Sequence, residues 1–575
     1  MSTRRLAAIL SCAIAALSLS AAGWAQAPAA KNPVGPERWV YVSHNFAAEK
    51  NCDEVIGWLQ RAAKAGYTHV LVVDCKFMRW NEVKRPDYDN NLKRVRKACR
   101  DLGLKVIACG GAQGTDLLSN DPNLAEGQPV VNAPFLVKDG KLVPADRDLA
   151  LLNGSFEEQK DGLPAGWAVA GKNAAVDAAV ACDGRQSVRI RAATQLSQKI
   201  KLVPNRYYRL IVKIKSQDLD PAYQFNVYLA ASDNSRLVCY KPFGIAKTQD
   251  WTEYSFEFNT MDVPEMSITF GIWGEYPGTV WVDGMRVEPG GFVNLIRRDG
   301  CPFKLTSEDG RTVYSEGADF AGAKDPALGM AVVNGGVIPG IYDYWHEPPV
   351  VTVPRGSRLK EGQRVLASYG HSINTLGWGT FVCMNEPKIW DWTLWGIRNL
   401  KTALEPDGWM LTHDEIRHQG WDDSCVKAGK PLATVLADNI RRCVELVRRE
   451  DPGKPIYIWS DMIDPNMNAG PKGWCYLVKG EAPWFNSWAG LDKDLIIMNW
   501  NYFANDSRRK SIEHFAKLGH KQVLCGYYDQ PVENLAPWLK EASDYPGVRG
   551  VMFTTWVNRF DDLEKFSKAA SDFKP

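Results

Sequence analysis

The segment HVLVVDCKF (69–77) is an almost unbroken apolar run. Such a run marks a strand buried on both faces, the environment of a parallel sheet. It constrains the fold strongly, because parallel neighbours need long crossover connections, usually helical. The flanking sequence supplies them. WVYVSHNF (39–46) reads as a strand, and DEVIGWLQRAAKAGY (53–67) has helical apolar spacing ending at a glycine. NNLKRVRKACRDLGL (90–104) predicts a second helix and KVIACGG (105–111) a third strand.

The rhythm then breaks. From LLNGSFEEQKDGLPAGW (151–167) the chain reads as short alternating strands with turn signals: SVRIRA, YYRLIVKIKS, FNVYLAA, TEYSFEF, SITFGIW and GTVWVDGMRVEP. That pattern predicts a β-sandwich. Its opening NGSFE…P-GW and closing WVDGMRVEP resemble jelly-roll carbohydrate-binding modules. Residues 291–355 read as further β structure rich in Gly and Pro, and RVLASYGHS (364–372) as an extra strand. Alternation resumes with a helix at 387–404, a strand at 408–415 and a helix at 432–450. Strands follow at 456–462, 495–502, 521–529 and 550–557, with helical segments at 506–518, 532–543 and 561–571. The count predicts an α/β fold: a (β/α)8 TIM barrel with an inserted β-sandwich (jelly-roll) domain. The parts are a signal peptide (1–27), a first barrel part (28–118), the inserted sandwich (150–290), a β-rich connector (291–355) and a second barrel part (356–575).

The formal net charge of +2 gives no reason to expect a nucleic acid partner. The 22 tryptophans are the compositional outlier, and Trp forms flat apolar walls with a polar N–H handle. MSTRRLAAILSCAIAALSLSAAGWAQAPAA has two arginines, an apolar run and small residues at Ala25–Ala27, a secretory signal. No later run reaches the roughly 18 apolar residues of a membrane span. The expected location is therefore secreted or periplasmic. The cysteines after Cys12 show no C-x-x-C pair and no zinc spacing, and Cys75, Cys99, Cys109, Cys443 and Cys525 fall in strand-like or helix-like runs. No metal and no cofactor is expected.

In a barrel of this kind chemistry sits at the carboxyl ends of the strands. Those ends read Ser43-His44-Asn45, Asp74, His413-Asp414-Glu415, Trp459-Ser460-Asp461, Trp500-Asn501-Tyr502, Tyr527-Tyr528-Asp529 and Trp556. Acids and tryptophans converging on one mouth suit sugar hydrolysis, in which carboxyls move protons and aromatics wall the ring.

This ordered set resembles family-20 glycoside hydrolases, the β-N-acetylhexosaminidases. Asp414-Glu415 matches their acid pair, Trp459, Trp500 and Trp556 their acetamido-pocket tryptophans, and Tyr527-Tyr528-Asp529 their Tyr-x-Asp. His371 in YGHS resembles a further histidine of the family, and Asp74 the aspartate that pairs with it. Thr412-His413 stand where the family has two glycines, and His44 where it has an arginine. The resemblance implies a glycan substrate and a retaining, substrate-assisted mechanism. Glu415 is then the proton donor, and Asp414 holds the acetamido N–H. Tyr527 bonds its oxygen. Trp459, Trp500 and Trp556 enclose its methyl group, and Asp529 and His44 read ring hydroxyls. Two alternatives stay open: a glycosidase on non-acetamido sugars with Asp461 or Asp529 as nucleophile, and a catalytically inactive carbohydrate-binding protein.

Overall fold

The computed structural model describes residues 33–574, apart from 75, 79–84, 111–114, 147–150, 242, 334–335, 339, 343–344, 375–379, 472–476 and 504. The signal segment 1–27 and Cys75 lie outside the described residues. Eight strands are β1 (Glu37–Ser43), β2 (His69–Val73), β3 (Lys105–Cys109), β4 (Gly408–Leu411), β5 (Ile456–Trp459), β6 (Ile496–Asn499), β7 (Gln522–Tyr527) and β8 (Val548–Thr554). They form a closed barrel in chain order, and every pairing is parallel. Successive side chains alternate across the wall. In β1, Trp39 and Tyr41 fill the interior while Val40 and Val42 pack outward. Trp39 plugs the amino-terminal end, stacked on His69 at 4.4 Å and edge-on to Tyr457 at 4.9 Å.

The helices are α1 (Glu49–Lys64), α2 (Arg85–Asp101), α3 (Ile389–Leu404), α4 (Asp423–Ala428), α5 (Leu432–Glu450), α6 (Asp506–Lys517), α7 (Leu535–Ala542) and α8 (Leu563–Asp572). In α5, Leu436, Ile440, Cys443, Val444 and Val447 recur every three or four residues and are all buried, making the stripe that faces the core.

The expected (β/α)8 class is corrected. The chain is strand-rich, with only 24% helix, and its helical layer is incomplete. Between β5 and β6 the described residues hold only a 3-10 turn at Asp461–Ile463 and a two-residue strand, Leu477–Val478. Pro465, Gly470, Pro471, Gly480 and Pro483 interrupt any helical period in that connection. Three large antiparallel sheets, rather than one sandwich, account for most of the remaining strand content among the described residues.

Those sheets are nested. Strands Gln128–Lys138 and Arg364–His371 are antiparallel neighbours, so the chain leaves and returns along one edge. With Lys141–Pro144, Lys304–Ser307, Val313–Tyr314 and Leu295–Ile296 they make a six-stranded sheet with its own core. The expected extra strand at 364–372 and part of the expected connector therefore belong to this sheet. The jelly roll is inserted within it. One of its two five-stranded sheets is ordered Gln249–Asn259, Tyr207–Gln217, Thr279–Pro289, Ser187–Arg191, Ala174–Asp177. The other is ordered Leu237–Lys241, Phe225–Ala231, Glu265–Ile272, Thr194–Lys201, Ala168–Ala170. Val227, Leu229, Ile268 and Phe270 from the second sheet meet Leu210, Val212, Phe256 and Val282 from the first in one core.

Barrel closure leaves no room at its seam. A Cβ on Gly550 would lie 2.0 Å from the Glu37 carbonyl oxygen. Gly550→Ala is expected to cost about 2 kcal/mol, since backbone must move to admit it. Gly57→Ala in α1, where a Cβ meets nothing within 4 Å, is expected to stabilise by about 0.5–1 kcal/mol. Urea unfolding of the two variants checks both signs.

Candidate functional site

β4 ends at Leu411, and the next four residues decide how its acids point. His413 turns outward, and its Nε2 lies 2.8 Å from Asn439 Oδ1 on α5. Burial lowers this imidazole to about 4. Asp414 and Glu415 then diverge. Glu415 adopts a left-handed backbone (φ 47), an uncommon conformation for a non-glycine residue. Its amide donates to Asp461 Oδ2 at 2.8 Å, and its Oε1 accepts from Arg417 Nη2 at 2.5 Å. The Glu415 side chain is 40% exposed.

Asp461, at the end of β5, is fully buried and receives three donors. Oδ2 accepts from the Glu415 amide and from Asn468 Nδ2 (2.9 Å), and Oδ1 from Trp500 Nε1 (3.1 Å). Burial pushes its carboxyl up to about 6 against the pull of those donors. Burial, then the charges of Asp461 and Glu415, raise Asp414 well above the usual carboxylate range. Asp414 thus faces two neighbouring carboxyls, Asp461 and Glu415, and carboxyls so placed resist ionising all together. A carboxyl held neutral near physiological pH is a competent proton donor.

Aromatic rings surround the pair. Tyr528 stacks on Tyr502 at 4.2 Å and lies 6.5 Å from Trp500 and 5.8 Å from Trp556. Trp556 is 59% exposed and edges onto Tyr41 at 5.4 Å. Trp459 is deeper, in the apolar interior of the barrel and 6.5 Å from Tyr41.

Several expected positions are elsewhere. Tyr527 faces the helical layer, not the mouth: it stacks on Phe553 at 4.2 Å, and its hydroxyl donates to Asp562 Oδ2 at 3.1 Å. The cause is three consecutive left-handed residues, Tyr527, Tyr528 and Asp529, which break strand alternation and turn Tyr528 inward instead. Asp529 braces the rim, its Oδ1 accepting from Thr555 Oγ1 (2.6 Å) and its Oδ2 from the Trp556 amide (3.0 Å). His44 turns to α1, stacked on Trp58 at 5.5 Å with Nε2 3.3 Å from Glu54 Oε2. Asp74 is buried and accepts from the Phe46 amide and the Tyr88 hydroxyl, both at 2.9 Å. His371 does not pair with Asp74. It ends strand Arg364–His371, where Asn259 Nδ2 lies 2.8 Å from its Nε2 and the Tyr207 ring 4.2 Å away, so it joins jelly roll to sheet. Sequence reasoning puts Tyr502 and Tyr528 at strand ends without a role and does not reach Arg417 or Asn468. The alternation of β1 alone points Tyr41 inward.

The jelly roll offers a second site. Along Phe225–Ala231, Phe225, Val227 and Leu229 enter the core, so Asn226 and Tyr228 face out. Tyr228 is paired across the strands with Tyr240 on one side and Thr269 on the other. Its ring is 5.5 Å from that of Trp273, and Tyr240 Oη donates to Asn226 Oδ1 at 3.2 Å. Three half-buried aromatics and an amide thus share one face. The outward face of the opposite sheet carries ion pairs instead, among them Lys215–Asp250 at 2.6 Å and Arg286–Glu288 at 2.9 Å.

Residues 149–275 match the family model described as a carbohydrate binding domain, and this segment is such a domain. No curated protein matches the chain. Similar solved structures include a CBM4 module, 21% identical over 24% of this chain and 99% of that chain, with a TM-score of 0.19. Another is TmCBM61 in complex with β-1,4-galactotriose, 19% identical over 25% of this chain and 99% of that chain, TM-score 0.20. A third is the CBM22-1 xylan-binding domain of Paenibacillus barcinonensis Xyn10C, 18% identical over 24% and 91%, TM-score 0.19. At these TM-scores the likenesses carry no argument of their own.

The acid pair sets a pH signature. Below about pH 4 an aspartate is protonated in native and unfolded chains alike. As pH rises, the unfolded chain ionises first while native Asp414 keeps its proton. Native stability therefore falls through the window from about pH 4 up to the raised native value, by about 1.4 kcal/mol per pH unit for each proton. Asp414→Asn is expected to flatten that slope, matching wild type near pH 4 and exceeding it near pH 8. Urea unfolding across this range checks it, and an unchanged slope would mean that native Asp414 is ionised.

Proposed function

We propose that this protein is a glycan-binding protein, with the jelly roll as the capturing element. The observation that carries the reading is the outward platform of Tyr228, Tyr240 and Trp273, with Asn226 and Thr269 among the rings, on a carbohydrate binding domain. Sugar rings have apolar faces that such rings cover, and amide and hydroxyl groups at the same level fix orientation. No described helix is long and apolar enough to cross a membrane. Export to the periplasm or the medium belongs to the same proposal and rests on the N-terminal signal pattern.

A second reading adds catalysis at the barrel mouth: hydrolysis of a captured glycan. The Asp414 and Asp461 carboxyls, the second bonded to Trp500, support it, because burial raises both and so favours a protonated carboxyl to serve a leaving oxygen. Its finer form is a retaining, acetamido-assisted β-N-acetylhexosaminidase, as the family-20 resemblance implies. In that form Glu415 must first leave Arg417 to act as acid. The simpler donor is one of the buried pair.

Affinity electrophoresis of the full chain through a panel of soluble polysaccharides tests the first reading. At least one should retard wild type, with Trp273→Ala and Tyr228→Ala each weakening retention about tenfold, equal to about 1.4 kcal/mol. Retention unchanged in both variants would remove the platform from binding. Aryl β-glycosides of GlcNAc, GalNAc, glucose and galactose test the second. Release from the N-acetyl sugars alone, lost in Asp414→Asn, supports acetamido assistance. Release from the plain sugars contradicts it, and silence on all four favours binding alone.

A further inference from the structure

A second buried cluster lies where the six-stranded sheet meets the barrel. Glu126 precedes strand Gln128–Lys138, Cys383 precedes α3, Asp422 caps α4 and Cys425 stands in its first turn. All four are buried, and each offers one ligand atom, all within 4.8 Å of one another.

The separations are specific. Cys383 Sγ and Cys425 Sγ are 3.7 Å apart. Cys425 Sγ is 3.4 Å from Glu126 Oε2, and Cys383 Sγ is 3.6 Å from Asp422 Oδ1. A zinc ion with Zn–S near 2.3 Å and Zn–O near 2.0 Å, at tetrahedral angles, needs S···S edges of about 3.8 Å and S···O edges of about 3.5 Å. Three edges of such a tetrahedron are therefore already spaced for the ion.

Outer partners hold the donors in place. Glu126 Oε1 accepts from the amides of Trp421 (2.7 Å) and Asp422 (3.2 Å), which leaves Oε2 for the ion. Asp422 Oδ2 takes the Arg298 guanidinium and the Gly127 amide, and Oδ1 takes the Cys425 amide at 3.0 Å. Asn385 Nδ2 donates to Cys425 Sγ at 3.2 Å, as a thiolate would require. Supports of this kind orient metal ligands.

We propose that Glu126, Cys383, Asp422 and Cys425 bind one zinc ion, a structural site that clamps the start of the six-stranded sheet to α4 and to the segment entering α3. Four protein ligands close the coordination sphere, as in structural rather than catalytic zinc sites. Binding releases the two thiol protons to solvent.

The test uses the full chain, reduced, stripped with a chelator and titrated with Co2+ alone. The expected result is one Co2+ per chain with thiolate-to-metal charge-transfer absorption, displaced by one equivalent of Zn2+. Cys383→Ser and Cys425→Ser should each weaken Co2+ binding at least 100-fold, while Cys182→Ser in the jelly roll leaves it unchanged. The wild-type spectrum stands alone should either serine variant fail to fold. Wild type without the thiolate band, a band kept in both folded serine variants, or a Cys383–Cys425 disulfide in the protein as isolated would each overturn the site.

Discussion

Closure of the parallel barrel is the constraint on which the rest depends. β3 must lie beside β4, with Ile107 opposite Gly408, although the jelly roll and the six-stranded sheet separate them in the chain. Anything inserted there has to leave and return at one place. Antiparallel pairing of Gln128–Lys138 with Arg364–His371 does this, and the jelly roll is inserted within the sheet they share. The carbohydrate binding domain is thus held at both ends. Its docking is specific as well: Met261 and Leu237 pack with Trp421 and Leu477, while Arg236 lies 5.4 Å over the Trp421 ring.

The same closure gathers the strand ends. β4 and β5 are neighbours, so the acids that follow them lie close together, and burial raises both. Asp461 is partly relieved by three donors, whereas Asp414 has the charges of two carboxylates beside it. The left-handed backbone at Glu415 turns the third acid to Arg417. A strained residue that directs a side chain at a strand end is a common feature of functional sites. The mouth and the jelly-roll face differ in chemistry: raised carboxyls at one, an outward cluster of tilted aromatic rings at the other.

Strand positions are legible because the runs at β2 and β5 are almost continuously apolar, and the α5 helix because its apolar spacing is regular. The inserted sandwich was legible from alternation and turns. The overall class was misread, since a count of strands says nothing about a connection without a helix, such as β5 to β6. At the mouth, Asp414, Asp461, Trp500 and Trp556 come together from strand ends. Tyr527 was misplaced because alternation fails where three residues in a row take positive φ. His371 resembles a site histidine of the family, but its strand pairs in the six-stranded sheet, which a resemblance over four residues does not show. The Glu126, Cys383, Asp422 and Cys425 cluster left no spacing motif, as its members come from three separate segments.

Capture of glycan on the jelly-roll face is the proposal on which the functional reading turns. Hydroxyl-radical footprinting of the full chain, with and without a polysaccharide that retards it, tests this most directly. The account predicts protection at Tyr228, Tyr240 and Trp273. Protection confined to Tyr528 and Trp556 at the barrel mouth, with the jelly-roll rings unchanged, would contradict it.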